Sequence, residues 1–159
     1  MKVKIAISFS VVLLFCQCRK DKACTPVQIC ENLTENADSI ATYLPNKWQW
    51  VESKQIDRGG NIKYSYPETA GYSSQLILKS DTALFYKNNV LDLTYKFRLG
   101  LEKEITNDSA DTKPVLIMYD LNTGNYHYYY RIKACENFLL LLQTYRSEIS
   151  PDVTYKKIN

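Results

Sequence analysis

The chain has 159 residues, which suits a single domain. Apolar residues make up 45% and charged residues 23%, so a packed core is affordable and a wholly disordered chain is excluded. The single histidine excludes a multi-histidine zinc site, and we expect no bound metal. An aromatic content of 13%, with thirteen tyrosines, favours strands over helices.

The first segment has the pattern of an export signal. Lys2 and Lys4 precede an apolar run at 5–15, which ends abruptly at polar residues. This order predicts a signal peptide over residues 1–17, because the run is far short of the roughly 20 residues that span a bilayer. Loss of the two lysines brings the formal charge of +3 close to neutrality, so we expect no nucleic-acid partner.

A cysteine directly after the apolar run resembles a bacterial lipoprotein signal, in which that cysteine is acylated. We predict lipidation at Cys18, which precedes the charged stretch 19–22, and Cys16 is the alternative. Residues 18–24 then form a tether. The resemblance implies a membrane partner through this anchor and a place in the bacterial cell envelope, on the outer membrane, facing the periplasm or the cell surface.

The next segment predicts one amphipathic helix over 25–43. Thr25 is a capping residue, Pro26 suits the first helical position, and Gln28 completes a capping box. Apolar residues then recur at spacings of three and four: Val27, Cys30, Leu33, Ala37, Ile40, Ala41 and Leu44. We interpret this helix as packing on the main body.

From residue 44 onward the period changes to two, which is typical of strands. In the segment 91–99 every odd position is apolar, which predicts that these side chains face inward: Leu91, Leu93, Tyr95, Phe97 and Leu99. Strands are predicted at 48–52, 62–66, 75–79, 82–87, 91–99, 114–120, 126–134, 138–145 and 152–158. Residues 100–113 are predicted to be irregular. Eight or nine short strands separated by turns indicate an up-and-down barrel or a sandwich.

The segments 44–50, 69–72, 76–81 and 85–89, in this order, resemble the lipocalin-like domain of bacterial lipoproteins. The resemblance covers residues 44–159. It implies an all-β, lipocalin-like, eight-stranded antiparallel up-and-down barrel with the N-terminal amphipathic helix beside it or across one end. It also implies that Trp48 is structural and plugs the closed end, with Lys156 or Lys157 stacked on it. It implies no established activity.

The candidate ligand-binding residues are Trp50, on the same face as Trp48 and deeper inside, and the inward-facing Tyr95 and Phe97. The tyrosine-rich run 126–130 around His127 is interpreted as sheet packing, with stacking on sugar rings as the alternative.

Export would place the remaining cysteines in an oxidising compartment. Cys135 is expected to pair with Cys30 or Cys24 and to pin the helix to the barrel, and free buried cysteines are the alternative.

The functional expectation is a non-enzymatic binding module without a cofactor, holding a small apolar or amphipathic ligand in the barrel. No serine or cysteine nucleophile has a partner base nearby in the sequence. The alternative is a structural or interaction lipoprotein with a filled barrel, which contacts a partner protein or a surface glycan. Barrels of about eight strands are either filled or hold one small ligand.

Overall fold

The computed structural model describes residues 28–57, 59–105, 110–144 and 151–159, without the side chains at 104, 105, 110, 111 and 143. Several predictions fall outside the described residues: the signal peptide, the tether, the role of Cys16, Cys18 or Cys24, and the helix start at Thr25. In the described part of the chain no helix is long and apolar enough to cross a bilayer.

The described residues form mostly antiparallel β-sheet with two short helices. The helices are α1 (Ala37–Tyr43) and α2 (Pro67–Ala70). The strands are β1 (Lys47–Ile56), β2 (Ile62–Ser65), β3 (Ser74–Lys79), β4 (Thr82–Lys87), β5 (Val90–Ile105), β6 (Ala110–Asp120), β7 (Tyr126–Ala134), β8 (Phe138–Gln143) and β9 (Asp152–Ile158). The bounds of β4, β7 and β9 agree with the predicted ones.

The sheet closes into a ring. Each strand from β3 to β8 pairs with the next one along the chain, and β1 pairs with both β3 and β9. The ring therefore passes through eight of the described strands, β1 and β3–β9. The remaining strand, β2, pairs only with the second half of β1, where Ser53 lies opposite Ser65. Because the first and last strands of the ring pair with each other, neither presents a free edge along its paired length.

The strand directions define two ends of the ring. The helix end contains α1, the β3–β4 turn at 80–81 and the β7–β8 turn at 135–137. The far end contains the β1–β2 hairpin, α2, the β4–β5 turn at 88–89 and the β6–β7 loop at 121–125. Packed side chains close the helix end more completely than the far end. The candidate site lies at the far end.

The core lies inside the ring and continues beneath α1 at the helix end. Ile40 and Leu44 of the α1 region are buried, as is Trp48, whose Nε1–H donates to the Leu44 carbonyl over 3.2 Å. Large side chains that are less than 2% exposed include Trp48, Leu76, Leu78, Leu116, Met118, Ile132, Leu139 and Leu141. The helix end is therefore closed by packed apolar side chains.

The helix is much shorter than predicted, because residues 28–36 are held in another conformation. We call these residues the strap. Thr34 and Ala134 exchange two backbone hydrogen bonds of 2.8 and 3.2 Å, so this part of the strap adds a bridge to β7. The helix begins after Asn36, whose side-chain oxygen accepts from the Ser39 N–H over 2.9 Å. Tertiary contacts thus override the helical spacing of the apolar residues.

Residues 100–113 were predicted to be irregular, and this is wrong for the described residues. Strand β5 continues to Ile105 and β6 begins at Ala110, with paired residues from Gly100 opposite Val115 to Ile105 opposite Ala110. Gly100 lies in this extension of the sheet, where a Cβ would approach the Ile117 Cδ1 to 3.1 Å. The glycine thus marks close side-chain packing within a strand.

The inward assignment of β5 is correct for its middle and wrong for its start. Tyr95 is buried, and Phe97 and Leu99 pack against the core. Leu91, in contrast, is 50% exposed. A register shift opposite Phe85 and Tyr86 inserts one extra β5 residue, so Leu91 lies opposite Tyr86 and takes the outer face. Leu93 keeps the inward face opposite Phe85 but is 41% exposed, because it lies at the far end.

Candidate functional site at the far end

Inside the far end of the ring lies a set of aromatic side chains, which we call the aromatic cluster: Trp50, Tyr72, Phe85, Tyr95, His127, Tyr128, Tyr130 and Tyr155. They come from β1, β4, β5, β7, β9 and the segment after α2. The cluster is therefore assembled by ring closure rather than by any local motif.

One side of the cluster is centred on Tyr95. The His127 ring stacks on it with centroids 4.9 Å apart and planes at 24°. Tyr128 meets Tyr95 edge-on at 5.5 Å, and Phe85 does so at 5.9 Å. Tyr130 stacks on Tyr128 at 5.9 Å, which extends the cluster toward the core. Such offset and edge-on contacts are the favoured arrangements of aromatic pairs.

The other side is centred on Trp50. Tyr72 stacks on it with centroids 5.2 Å apart, and the Lys87 ammonium lies 4.6 Å from the Tyr72 ring centroid. Tyr155 lies opposite Trp50 in the β1–β9 ladder and is buried. Burial and the neighbouring phenols of Tyr130 and Tyr72 raise the pKa of Tyr155 far above its usual range. The cluster thus places several phenols in a poorly hydrated space.

Three irregularities of the ladder surround the cluster. The register shifts between Trp50 and Glu52, between Phe85 and Tyr86, and between Met118 and Tyr119. In β7 the extra residue is His127, which is why its ring and that of Tyr128 both contact Tyr95. Bulges of this kind redirect side chains and are common at the rims of closed sheets and beside functional sites.

The cluster has an accessible upper surface. Tyr95 is 4% exposed, whereas Leu93, one inward position nearer the far end, is 41% exposed. Inward-facing apolar surface therefore meets solvent at the far end. Apolar side chains around it are also exposed, in the order of the chain: Ile56, Ile62, Tyr64, Tyr72, Val90, Leu91, Leu121 and Tyr126.

Acidic groups border the Tyr95 side. Backbone N–H groups of Thr123 and Asn122, each 2.9 Å from Asp120 Oδ1, hold the pKa of Asp120 below its usual value, and His127 adds to the effect. Burial raises the pKa of Tyr95 to about 12, with further contributions from Tyr128 and from the carboxylates of Asp120 and Asp92. A hydroxyl with this pKa stays protonated at neutral pH and keeps a donor for hydrogen bonds.

The structure places the predicted site residues at different depths. Trp50 and Tyr95 belong to the aromatic cluster, on strands that are not adjacent. Phe97 lies one inward position nearer the helix end than Tyr95 and packs partly buried against the core. Trp48 is buried at the helix end, opposite Lys157 in the β1–β9 register. The sequence analysis did not assign Tyr72 or Phe85 to the site, because ring closure brings them there.

The strap forms a second, separate feature at the helix end. Cys30 and Cys135 form a disulfide with Cα atoms 6.9 Å apart. Glu35 accepts from Lys113 Nζ over 2.7 Å and forms an ion pair with Lys133. These contacts border a cavity of about 280 Å³, which is also lined by Pro114, Arg131, Ile132 and Leu142. The two lysines lower the pKa of Glu35.

Within the described ranges no group of three or more histidine, cysteine or acidic side chains is arranged to hold a metal ion. Comparison with known proteins adds no assignment: no protein-family model, no curated protein and no solved structure matches this chain.

Proposed function

We propose that this chain is an exported, lipid-anchored, lipocalin-like protein whose far end binds a small amphipathic ligand on the aromatic cluster. In this proposal the ring of eight strands is a lipocalin-like barrel. The helix end is its closed end, where Trp48 is the plug, and the far end is its mouth. The Gln28–Asn36 strap and α1 take the place of a single long helix.

The exposure of inward-facing Leu93 is the observation that carries the proposal. An apolar side chain on the inner face of a closed sheet would be covered if the interior were filled along its whole length. Here Leu93 lies one inward position nearer the far end than Tyr95, opposite Phe85, and remains 41% exposed, whereas the helix end is packed. Apolar, mostly aromatic walls with a few polar groups are typical of small-molecule sites.

Leu93 and Leu91 offer a matched pair for the test. They lie two residues apart on β5 and are similarly exposed, but Leu93 faces inward and Leu91 faces outward. Titration with decyl maltoside below its micelle concentration, followed by calorimetry and tryptophan fluorescence, should show saturable binding. Leu93→Glu should abolish binding and Leu91→Glu should preserve it. Equal loss in both variants, or no binding by the unaltered chain, would contradict the proposal.

The lipid anchor requires its own test in bacterial cells. Radiolabelled palmitate should label the full chain and the Cys16→Ala variant but not Cys18→Ala. Labelling that persists in Cys18→Ala and disappears in Cys16→Ala would move the anchor to Cys16. The absence of label in all three would remove the anchor from the proposal without affecting the ligand site.

The alternative function is a non-enzymatic interaction lipoprotein that contacts a partner protein or a surface glycan. The exposed apolar side chains on three far-end hairpins favour it: Ile56, Ile62, Val90, Leu91 and Leu121. Exposed apolar groups gathered at one place commonly mark interaction surfaces. Solvent extraction of the purified protein followed by mass spectrometry separates the two, because only the first function predicts a co-purifying amphiphile.

A further inference from the structure

We propose that the aromatic cluster selects amphiphiles with a cationic ammonium head group over anionic ones of the same chain length. This inference rests on the proposed ligand site and specifies the chemistry of its ligand. It is drawn from the rings, the carboxylates and the cations that the far end already brings together.

The geometry of the rings is the first argument. Tyr95 presents one face to His127 at 4.9 Å and meets the edges of Tyr128 and Phe85. His127 also meets Tyr128 edge-on at 4.5 Å. The other rings thus pack around Tyr95, and His127 and Tyr72 lie at the exposed margin of the cluster. The negative face of an aromatic ring attracts cations, so a head group that reaches this margin would meet ring faces that favour an ammonium group.

The far end already holds basic groups against aromatic faces. The Lys87 ammonium lies over the Tyr72 ring at 4.6 Å, and the His127 imidazole lies over the Tyr95 ring. Lys87 belongs to β4 and is engaged on the Trp50 side of the cluster. It would attract an anionic head group, so its removal is part of the test.

The carboxylates are the second argument. Asp120 lies at the end of β6 and Asp92 is the extra residue in β5, so both border the Tyr95 side of the cluster. The negative charges of both carboxylates help to raise the pKa of the Tyr95 hydroxyl. Asp120 also interacts electrostatically with His127. An anionic head group placed there would meet like charges, whereas an ammonium head would meet opposite charges beside aromatic faces.

The full chain is titrated by calorimetry with decyltrimethylammonium, decanoate and decyl maltoside, each below its micelle concentration and near neutral pH. We expect decyltrimethylammonium to bind about tenfold more tightly than decanoate. Equal or tighter binding of decanoate would overturn the inference while leaving the ligand site intact. If none of the three binds, the proposed function fails as well.

Asp120→Asn should weaken decyltrimethylammonium binding by about threefold to tenfold and leave decyl maltoside binding unchanged. Asp57→Asn is the matched control. Asp57 also accepts two backbone N–H groups of its own turn, from Gly59 and Asn61 at 2.8 Å, but lies at the β1–β2 hairpin. Asparagine preserves the Oδ1 that accepts the backbone N–H groups in both turns. An equal effect of the two substitutions on ammonium binding, or no effect of Asp120→Asn, would contradict the inference.

Two further variants keep the test decisive if Asp120→Asn disturbs its turn. Asp92→Asn should also weaken ammonium binding, because the Asp92 carboxylate borders Tyr95. Lys87→Met should strengthen ammonium binding relative to decyl maltoside binding, because it removes a positive charge from the Tyr72 ring. Weaker ammonium binding in Lys87→Met, together with no change in Asp92→Asn, would show that the charges of these two side chains do not set the selectivity of the site.

Discussion

At the residue scale, the two tryptophans show how position in the ring changes the surroundings of a side chain. Trp48 and Trp50 are two residues apart on β1 and face the same way. Trp48 is completely buried at the helix end and hydrogen-bonded to the Leu44 carbonyl. Trp50 is 4% exposed and stacks on Tyr72, which is itself partly exposed at the far end. Their roles should therefore separate in a stability measurement.

Trp48→Phe should lower the free energy of unfolding by about 2 kcal/mol, because it leaves a gap in the core and removes the hydrogen bond from the indole Nε1–H to the Leu44 carbonyl. Trp50→Phe should cost less, because Tyr72 can still stack on the new ring. Urea unfolding followed by circular dichroism measures both. A larger loss in Trp50→Phe would mean that packing at the far end contributes more to stability than packing at the helix end.

Single residues of β5 also show which features of the strand its sequence could predict. Alternation along 91–99 predicted strand β5 and the burial of Tyr95, but it could not reveal the extra residue at Asp92, which moves Leu91 to the outer face. A bulge depends on pairing with another strand, so a single strand's pattern does not contain it. The same reason hid the contact of His127 with Tyr95.

At the scale of elements, the β4–β5 turn is the clearest agreement between local sequence and structure. Asn88 and Asn89 have φ values of 51° and 64°, a left-handed region that asparagine tolerates better than most residues. The Asn88 side chain also accepts from the Ser73 N–H over 2.9 Å, a tie to the segment before β3. The two asparagines should therefore contribute differently to the stability of the fold.

Asn89→Gly should leave stability nearly unchanged, because glycine adopts this φ without strain and the side-chain bond that is lost, from Gln75 Nε2 to Asn89 Oδ1, is long at 3.4 Å and exposed. Asn88→Gly should lower the free energy of unfolding by about 1 kcal/mol, because the bond from the Ser73 N–H to the Asn88 side chain is lost. Thermal unfolding of the two variants side by side tests the difference. Equal melting temperatures would show that the hydrogen bond between the Asn88 side chain and the Ser73 N–H contributes nothing to stability.

The strap is the element that the sequence predicted least well. Helical spacing was present at residues 27–37, yet the disulfide at Cys30, the bridge at Thr34 and the ion pairs of Glu35 hold this segment against β6 and β7. The partners in these contacts are about 80 to 100 residues away in the chain, as the Lys113–Glu35 separation of 78 and the disulfide separation of 105 show. Local periodicity carries no record of such contacts.

Glu35 should make stability depend on pH. Its pKa is lowered in the folded state by Lys113 and Lys133, so its contribution is present above the unfolded value near 4.5 and is lost as the pH falls through the lower folded value. At neutral pH, Glu35→Gln should be less stable by about 0.5–1 kcal/mol. Urea unfolding should show this difference shrinking below pH 4.5. A difference that is independent of pH would exclude the ion pairs as its cause.

At the scale of the whole molecule, ring closure is the feature that propensity could not predict. Turn residues and alternation indicated antiparallel neighbours, and the family resemblance implied closure. Only the pairing of β1 with β9, from Lys47 opposite Ile158 to Lys54 opposite Asp152, joins the two ends of the strand series. The aromatic cluster depends on the same pairing, because Trp50 and Tyr155 meet across it.

A chain that ends at residue 151 should lose cooperative unfolding. Without β9, both β1 and β8 would present unpaired edges and the core around Tyr155 would open, so we expect aggregation at concentrations where the full chain is monodisperse. Light scattering and thermal unfolding monitor the two effects. Cooperative unfolding of the shortened chain at an unchanged temperature would show that closure is not needed.

The cross-link between Cys30 and Cys135 also has a mechanical consequence. A pull applied upstream of Cys30 reaches the β7–β8 turn through the disulfide as well as passing along the backbone, so the segment between Cys30 and β1, including α1, does not carry the force alone. If the first residues attach the chain to a surface, this turn is therefore a point at which the folded part is attached, and it lies at the packed helix end of the ring. The opposite rim would then point outward, and molecules would approach it from the surrounding water.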